Sequence, residues 1–173
     1  MVTARKLAAL AGVAAILVSV FTVQSRVFAG DFPLADKVLV EKSKRKLHLL
    51  RNGIPFRTFD IALGLAPEGD KEQEGDNRTP EGYYTLDARN PDSDFFLSIR
   101  ISYPNSGDKA DASRKGVDPG GQIMIHGQPN TPNYSAAYYA REDWTNGCIA
   151  VSNSDMIDIW LMTPDRVPIE IVP

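Results

Sequence analysis

The fold is decided by the stretch Lys37–Leu63, which reads KVLVEKSKRKLHLLRNGIPFRTFDIAL. It contains two runs with the composition of β-strands, Lys37–Lys42 and Lys46–Arg51. Asn52-Gly53 follows the second run, and this dipeptide suits the left-handed dihedral angles of a two-residue hairpin. Phe56–Leu63 then alternates apolar and polar residues with a period of two. The stretch therefore predicts three consecutive antiparallel strands.

The rest of the chain continues this β-rich pattern with short elements. Further strands are predicted at Tyr83–Asp87, Phe95–Tyr103, Ile123–Ile125 and Val167–Val172. Pro168 should confine the last strand to a sheet edge or to a strand start, because proline has no N–H to donate. A short helix is predicted from Ser152 or Asn153, either of which can cap it, to Met162. Pro104–Gly121 lacks apolar periodicity and predicts a long loop at a functional rim.

Length and composition limit the possible classes of protein. The 173 residues fit one domain, and 43% hydrophobic and 24% charged residues exclude wholesale disorder and a multi-span membrane protein. The net charge of −3 argues against nucleic acid as a partner. One cysteine cannot form an intramolecular disulfide, and with two histidines it is too little for a zinc cage, so no metal is expected.

The first residues have the features of an export signal. Arg5 and Lys6 precede the uncharged apolar run Leu7–Val20, and Val27-Phe28-Ala29 offers a small-residue cleavage pattern. We therefore expect residues 1–29 to be a signal peptide and residues 30–173 to be a single mostly β domain with short helices, outside the cytoplasm. The alternative is an uncleaved anchor, because Leu7–Val23 is near the lower length limit for spanning a bilayer.

Cys148 is a candidate nucleophile, although a cysteine between glycine and isoleucine is more often a small buried apolar residue. Exported proteins rarely keep a free thiol, so its presence suggests chemistry. Gly147 before it permits a tight turn, which can direct successive backbone N–H groups of Asn146, Gly147 and Cys148 at one point and form an oxyanion hole.

A thiol needs a base at neutral pH, and a neutral imidazole is the usual partner. His126 follows a predicted apolar strand and precedes Gly127, which would let a substrate backbone approach. His48 lies in the middle of a predicted strand, where a solvent-facing or cross-strand role is expected. The imidazole of His126 could be oriented by a backbone carbonyl or by Asp143.

Together these residues resemble the signature of the YkuD-type L,D-transpeptidases. Ile125-His126-Gly127 followed by Thr145–Ile149 (TNGCI) is similar to the HG and [S/T]-x-G-C segments of that family. Upstream, Leu63-Gly64 and Thr79–Tyr84 (TPEGYY) resemble its G…TP-x-G-x-Y segment. The resemblance covers roughly residues 37–173.

Two positions depart from the family pattern. Asn146 stands where the family often has histidine, and Ala150 stands where it often has arginine or asparagine. The variant is similar to the YafK-like branch, in which activity is transfer or hydrolysis. These departures leave the Cys148/His126 pair intact and bear on substrate orientation and on the acyl acceptor.

The resemblance implies a mostly β catalytic domain that acts on the peptide stems of peptidoglycan through a thioester on Cys148, without a cofactor. The acceptor would be a stem amine, the lysine amine of a cell-wall lipoprotein, or water, and carbapenem-type compounds would be inhibitors. The expected substrate-binding residues are Gly127, Thr145, Trp144, Arg141, Tyr103 and Arg78, with Tyr139 as a further groove candidate. Pro104–Gly121 or Gln128–Arg141 would form a lid.

Two other functions are alternatives to a transpeptidase. One uses the same acyl-enzyme but resolves it with water, which would make the protein a carboxypeptidase or amidase. The other is a cell-wall binding module with an inert buried Cys148. Only an uncleaved N-terminus would bring the protein to a membrane.

Overall fold

The computed structural model describes residues 32–173 of the chain. The signal peptide predicted for residues 1–29 lies outside the described residues. Among the described residues, no helix is both long enough and apolar enough to cross a bilayer.

The described part of the chain forms eight strands and three helices. The strands are β1 (Lys37–Glu41), β2 (Lys46–Arg51), β3 (Ile54–Asp60), β4 (Gly82–Ser93), β5 (Phe96–Ile101), β6 (Met124–His126), β7 (Ile149–Ala150) and β8 (Pro168–Val172). The helices are α1 (Ser106–Lys115), α2 (Ala136–Arg141) and α3 (Asn153–Met162).

All eight strands belong to one sheet in the order β3-β2-β1-β8-β4-β5-β6-β7. The pairs β1–β8 and β6–β7 are parallel, and the other neighbours are antiparallel. The predicted fold class, a mostly β domain with short helices, is confirmed. The single sheet has two ends, and the opening hairpins form one of them while β6 and β7 form the other.

The opening hairpins form as the sequence predicts. Asn52 and Gly53 have positive φ angles of 53° and 76°, as a two-residue hairpin between β2 and β3 requires. β2 pairs with β1 on one side and with β3 on the other, both antiparallel. Their apolar residues alternate into the core, where burial of each large side chain contributes about 1.5–3 kcal/mol.

The last strand occupies a central position in the sheet. β8 lies between β1 and β4, so the alternative of an edge strand is wrong. The alternative of a strand start is confirmed, because Pro168 is the first residue of β8. At that position the missing N–H removes little from the ladder, and Ile169 and Ile171 still point into the core.

The loop predicted at Pro104–Gly121 contains a helix, which corrects the prediction. Asn105 and Asp108 form a capping box at the start of α1, and Gly116 ends it in the left-handed conformation. Ala112 is the buried residue of this helix. Because this helix buries so little, its sequence shows no apolar period, and the capping residues at its two ends were the available signal for a helix.

Helix α3 was predicted correctly, with Ser152 as the N-cap whose hydroxyl accepts from the Asp155 N–H. Met156, Ile159 and Met162 pack into the core from this helix. The short helix α2, which Ser135 caps, was not predicted because its six residues are too few to show a period.

Candidate active site

His126 lies at the end of the three-residue strand β6, near one end of the sheet. Its neighbour Ile125 is fully buried in the core, and His126 points to the opposite face. The register places Ser98 of β5 opposite His126 on one side and Ala150 of β7 beside it on the other. Cys148 comes just before β7, so the two short parallel strands bring the predicted nucleophile and base to one face.

A cavity of about 450 Å³ contains both residues. Its walls are Ser93, Phe95, Ser98, Gly121, Gln122, Ile123, Met124, His126, Trp144, Thr145, Asn146 and Cys148. Of the predicted site residues, the cavity thus brings together Cys148, His126, Asn146, Thr145 and Trp144.

The imidazole of His126 is held so that one ring nitrogen stays available. Nδ1 lies 2.7 Å from the carbonyl oxygen of Gly127, and since a carbonyl can only accept, Nδ1 carries the proton. Nε2 is then the basic nitrogen. Burial lowers the pKa of His126, an effect that the Gly127 carbonyl partly offsets, so the ring is neutral at neutral pH.

Aromatic rings fix the orientation of this imidazole. The ring of Phe95 lies 4.6 Å from that of His126 between centroids, tilted by 39°. Trp144 meets the imidazole edge-on at 5.6 Å. The imidazole is therefore supported by packing and by one backbone hydrogen bond, and the exposed fraction of His126 is 4%.

Asp143 does not orient His126, which corrects one of the two sequence alternatives. Its carboxylate accepts hydrogen bonds from the guanidinium of Arg45, the shortest at 2.7 Å, and from the N–H of Leu63 at 2.8 Å. These interactions tie the segment before Cys148 to the turn between β1 and β2 and to the segment that follows β3. The backbone carbonyl of Gly127 fulfils the orienting role instead.

The Cys148 thiol is protonated at rest. Burial raises its pKa, while the backbone N–H of Met124 and the positive charge of Lys71 act in the opposite direction. Sγ donates to the carbonyl oxygen of Gln122 at 3.5 Å. A neutral thiol and a neutral imidazole therefore share the cavity, and a thiolate at Cys148 would require a base to take the thiol proton.

Thr145 closes the turn that carries Cys148. Its hydroxyl donates to the Cys148 carbonyl at 2.7 Å and accepts from the Gly147 N–H at 3.1 Å. This corrects the expectation for Gly147, whose N–H is already engaged and is not free to bind an oxyanion. Of the three amides predicted for that task, those of Asn146 and Cys148 remain.

Position 147 accepts only glycine. Its φ is 122°, and a Cβ atom there would lie 2.6 Å from the carbonyl oxygen of Arg78. The sequence predicted Arg78 as a substrate contact, but the structure places its backbone under the Cys148 turn. Its guanidinium donates to the Asp70 carbonyl, outside the cavity that holds Cys148.

Other predicted contacts also lie away from this cavity. Tyr103 is buried, and its hydroxyl donates to the Pro119 carbonyl at 2.9 Å. Arg141 is exposed in the last turn of α2 and is absent from the cavity walls. Gly127 follows the base, where a Cβ would meet the Asn153 side-chain oxygen at 2.6 Å, so a side chain has no room.

Phe95, Ser98 and Lys71 are among the residues in or near the site whose roles were not predicted from the sequence. Phe95 and Ser98 were placed on a predicted strand without a role, and in the structure both line the cavity. Ser98 is 1% exposed, and its hydroxyl is the one buried side-chain polar atom within residues 32–173 that has no hydrogen-bond partner. Nothing in the sequence indicated that Lys71 would be buried.

Lys71 organises the loop beneath the site. Its ammonium donates to the Gln73 carbonyl at 2.9 Å and pairs with Asp76 at 2.7 Å, with the lysine side chain 3% exposed. Burial alone would raise the pKa of Asp76, but the hydrogen bonds from Lys71 and three backbone amides lower it. The acidic segment Glu68–Asp76 is thus an ordered support. No cluster of three or more metal-ligating side chains occurs within the residues that the structure describes.

Comparison with known proteins identifies the family. Residues 35–171 match the model of the YkuD family, the L,D-transpeptidase catalytic domain, and the chain belongs to this family. The resemblance drawn from the sequence is confirmed.

Individual relatives sharpen this assignment. YafK, a proposed L,D-transpeptidase of Escherichia coli strain K12, is 36% identical over 99 residues, which are 52% of this chain and 37% of YafK. The YafK-like character expected from the motif is confirmed.

Two solved structures have a similar fold. The helical cell shape determining protein Pgp2 of Campylobacter jejuni is 27% identical with a TM-score of 0.62, over 78% of this chain and 46% of Pgp2. Bd1075 of Bdellovibrio bacteriovorus is 26% identical with a TM-score of 0.57, over 80% of this chain and 48% of Bd1075. The chain thus spans less than half the length of these relatives.

Proposed function

We propose that the protein is a cysteine acyltransferase that acts on peptidoglycan stem peptides, with Cys148 as nucleophile and His126 as base. The observation that carries the proposal is the shared cavity of about 450 Å³, which contains a thiol and an imidazole with one uncommitted nitrogen. Membership of the L,D-transpeptidase family supports peptidoglycan as the substrate.

The first half of the reaction forms a thioester. Nε2 of His126 takes the thiol proton as Sγ attacks the carbonyl carbon of the peptide bond. The N–H groups of Asn146 and Cys148 stabilise the negative charge on the carbonyl oxygen. When the tetrahedral intermediate collapses, the C–N bond breaks and the leaving amine receives the proton from His126.

The second half releases the acyl group. An amine or a water molecule loses a proton to Nε2, attacks the thioester carbon and displaces Sγ, which regains its proton. A stem amine gives a cross-link, a lipoprotein lysine gives an attached protein, and water gives a shortened stem. Transfer to an amine is the primary proposal, and hydrolysis of the same thioester is the alternative.

The substrate implies a site of action outside the cytoplasm, since peptidoglycan is an extracytoplasmic polymer. Residues 1–29 would direct export, and membrane contact would require that this segment stays uncleaved.

Neither half of the reaction, the formation of the thioester or its resolution, needs a metal or organic cofactor. Every proton and electron pair is supplied by Cys148, His126 and the substrates.

Acylation by a carbapenem tests the nucleophile and the base. A β-lactam is a strained amide, and its opening by Cys148 would add one inhibitor mass to the intact protein. We expect one adduct in the wild type and none within the same time in Cys148→Ala or His126→Ala. His48→Ala is the matched control, because it removes the other histidine without touching the cavity.

A folded wild type that forms no adduct and whose thiol does not react with small electrophiles would contradict the enzyme. That result would favour a binding module with an inert cysteine. Product analysis on purified peptidoglycan then separates transfer from hydrolysis: new cross-links or attached protein indicate an amine acceptor, and shortened or released stems indicate water.

A further inference from the structure

A second cavity of about 460 Å³ adjoins the first and shares Phe95 and Trp144 with it. Its wall is dominated by aromatic rings. Tyr134 and Tyr138 stack at 4.4 Å, Tyr138 meets Tyr139 edge-on at 5.6 Å, and Tyr139 meets Trp144 edge-on at 5.0 Å. With the contact between Trp144 and His126, these rings form a continuous path from solvent to the base.

The outer end of this path is available for a ligand. Tyr134 is 60% exposed although its ring stacks on that of Tyr138, so its outer face is open to solvent. The inner end is fixed, because the Tyr139 hydroxyl accepts from the Asn133 N–H at 3.0 Å and the Trp144 indole donates to the Tyr139 carbonyl. The path of aromatic rings is therefore fixed at its inner end, by Tyr139 and Trp144, and open to solvent at its outer end, at Tyr134.

The chemistry of the wall selects for a neutral ligand. None of the nine residues that line this cavity carries a charge, and its polar side chains besides the aromatic hydroxyls are those of Thr131 and Asn133. A stem peptide has carboxylate and ammonium groups, which would lose hydration here without finding a partner. A pyranose ring has apolar C–H faces and peripheral hydroxyls, which match rigid rings with a few polar groups at the rim.

We propose that this aromatic cavity, lined by Phe95, Tyr134, Tyr138, Tyr139 and Trp144, binds an N-acetylated hexose of the glycan strand while the attached peptide lies in the neighbouring catalytic cavity. The proposal rests on the proposed function, since it assigns the sugar portion of the same substrate. Its continuity with the catalytic cavity, through Phe95 and Trp144, is what places sugar and peptide side by side.

The test compares two substrates that differ only in the sugar, a disaccharide-linked stem peptide and the same peptide free. The wild type should show a KM about five- to tenfold lower for the disaccharide substrate, as expected for one well-placed ring contact. In Tyr134→Ala this preference should disappear, while kcat and the rate of carbapenem acylation stay as in the wild type. Tyr134→Phe should keep the preference.

Tyr83→Ala is the matched surface control, because Tyr83 is 72% exposed on β4 and lies outside both cavities. It should leave both KM values unchanged. Equal losses for both substrates in Tyr134→Ala would overturn the proposal and assign the rings to the peptide. An unchanged preference in Tyr134→Ala would overturn it as well.

A binding measurement keeps this inference separate from the proposed function. Chitotetraose, a neutral oligomer of N-acetylglucosamine without peptide, is titrated into Cys148→Ala and followed by saturation-transfer NMR. Binding that is lost with the additional Tyr134→Ala change supports the sugar site even if the wild type forms no carbapenem adduct. Absence of binding in a protein whose wild type is acylated overturns the sugar site alone.

Discussion

The two histidines lie on strands near opposite ends of the strand order, and their surroundings separate a histidine with both nitrogens engaged from a candidate base. On β2, His48 has both ring nitrogens engaged, Nδ1 with Thr58 at 2.9 Å and Nε2 with Glu41 at 2.9 Å. On β6, His126 engages one nitrogen and leaves the other free. Both histidines face a residue on a neighbouring strand, and they differ in how many of their ring nitrogens are hydrogen-bonded.

The same contrast extends to the hydroxyls opposite each histidine. Thr58 lies opposite His48 and contacts it, whereas Ser98 lies opposite His126 with its hydroxyl unpartnered. The β1–β3 end of the sheet thus satisfies its polar groups internally. The β5–β7 end leaves an imidazole nitrogen and a hydroxyl without partners in the cavity that also holds the Cys148 thiol, an arrangement typical of reactive sites.

The largest difference should appear between the two variants in which one histidine is replaced by alanine. His126→Ala removes the base, and the rate of carbapenem acylation at neutral pH should fall at least about 100-fold. Because the thiol must then ionise alone, and burial raises the pKa of Cys148, the rate should recover only in alkaline solution. His48→Ala should change the rate less than about twofold. Similar losses in the two variants would erase the distinction.

The wild-type pH profile is the next largest effect. A base acts when unprotonated, so the acylation rate falls as pH drops through the pKa of His126. Burial lowers that pKa, and the fall should therefore lie on the acid side of about 6.5, the ordinary imidazole value. Acylation rates from pH 4.5 to 8 by intact mass locate it. A midpoint above 7 would mean that the imidazole is not desolvated.

Thr145 should show an intermediate effect, on stability as well as rate. Thr145→Val removes two hydrogen bonds and leaves the Gly147 N–H and the Cys148 carbonyl without partners, which should cost about 1–3 kcal/mol of unfolding free energy. Urea unfolding measures the loss, and a slower acylation should accompany it. Thr145→Ser keeps the hydroxyl and serves as control; if it is as unstable as the valine variant, the methyl group matters instead.

The smallest expected effect compares the two hydroxyls. Thr58→Val leaves the Nδ1 of His48 without its partner and should destabilise the protein by up to about 1 kcal/mol. Ser98→Ala removes a polar group that has no partner among residues 32–173, so its unfolding free energy should stay the same or rise. A destabilised Ser98→Ala would show that this hydroxyl is satisfied in the folded protein.

Local features of the sequence predicted much of the fold and singled out Cys148 and His126 as candidate site residues. The strand runs, the Asn52-Gly53 turn and the cap at Ser152 are short-range signals, and each was correct. Cys148 and His126 could be singled out because cysteine and histidine are rare in this chain, and the segments around them resemble the HG and [S/T]-x-G-C segments of the family. The structure places them in one cavity, and their chemical roles stay proposals.

The remainder depended on distant contacts that no local pattern encodes. The engagement of Asp143 by Arg45 joins residues 98 positions apart, and it removed one candidate orienter. The engagement of the Gly147 N–H depends on a single hydroxyl rotamer of Thr145. Burial of Lys71 in a segment that reads as a solvated acidic loop depends on how that loop folds over Asp76.

The central position of β8 has a kinetic consequence. β1 comprises residues 37–41, and its parallel partner β8 comprises residues 168–172. This pairing therefore closes one of the longest loops in the domain. Non-local pairings of this kind slow folding, because the entropy of loop closure is lost before contacts compensate for it. Until β8 docks, β1 and β4 are open edges with unpaired backbone groups. A nascent chain therefore remains without a finished sheet until β8 has been synthesised.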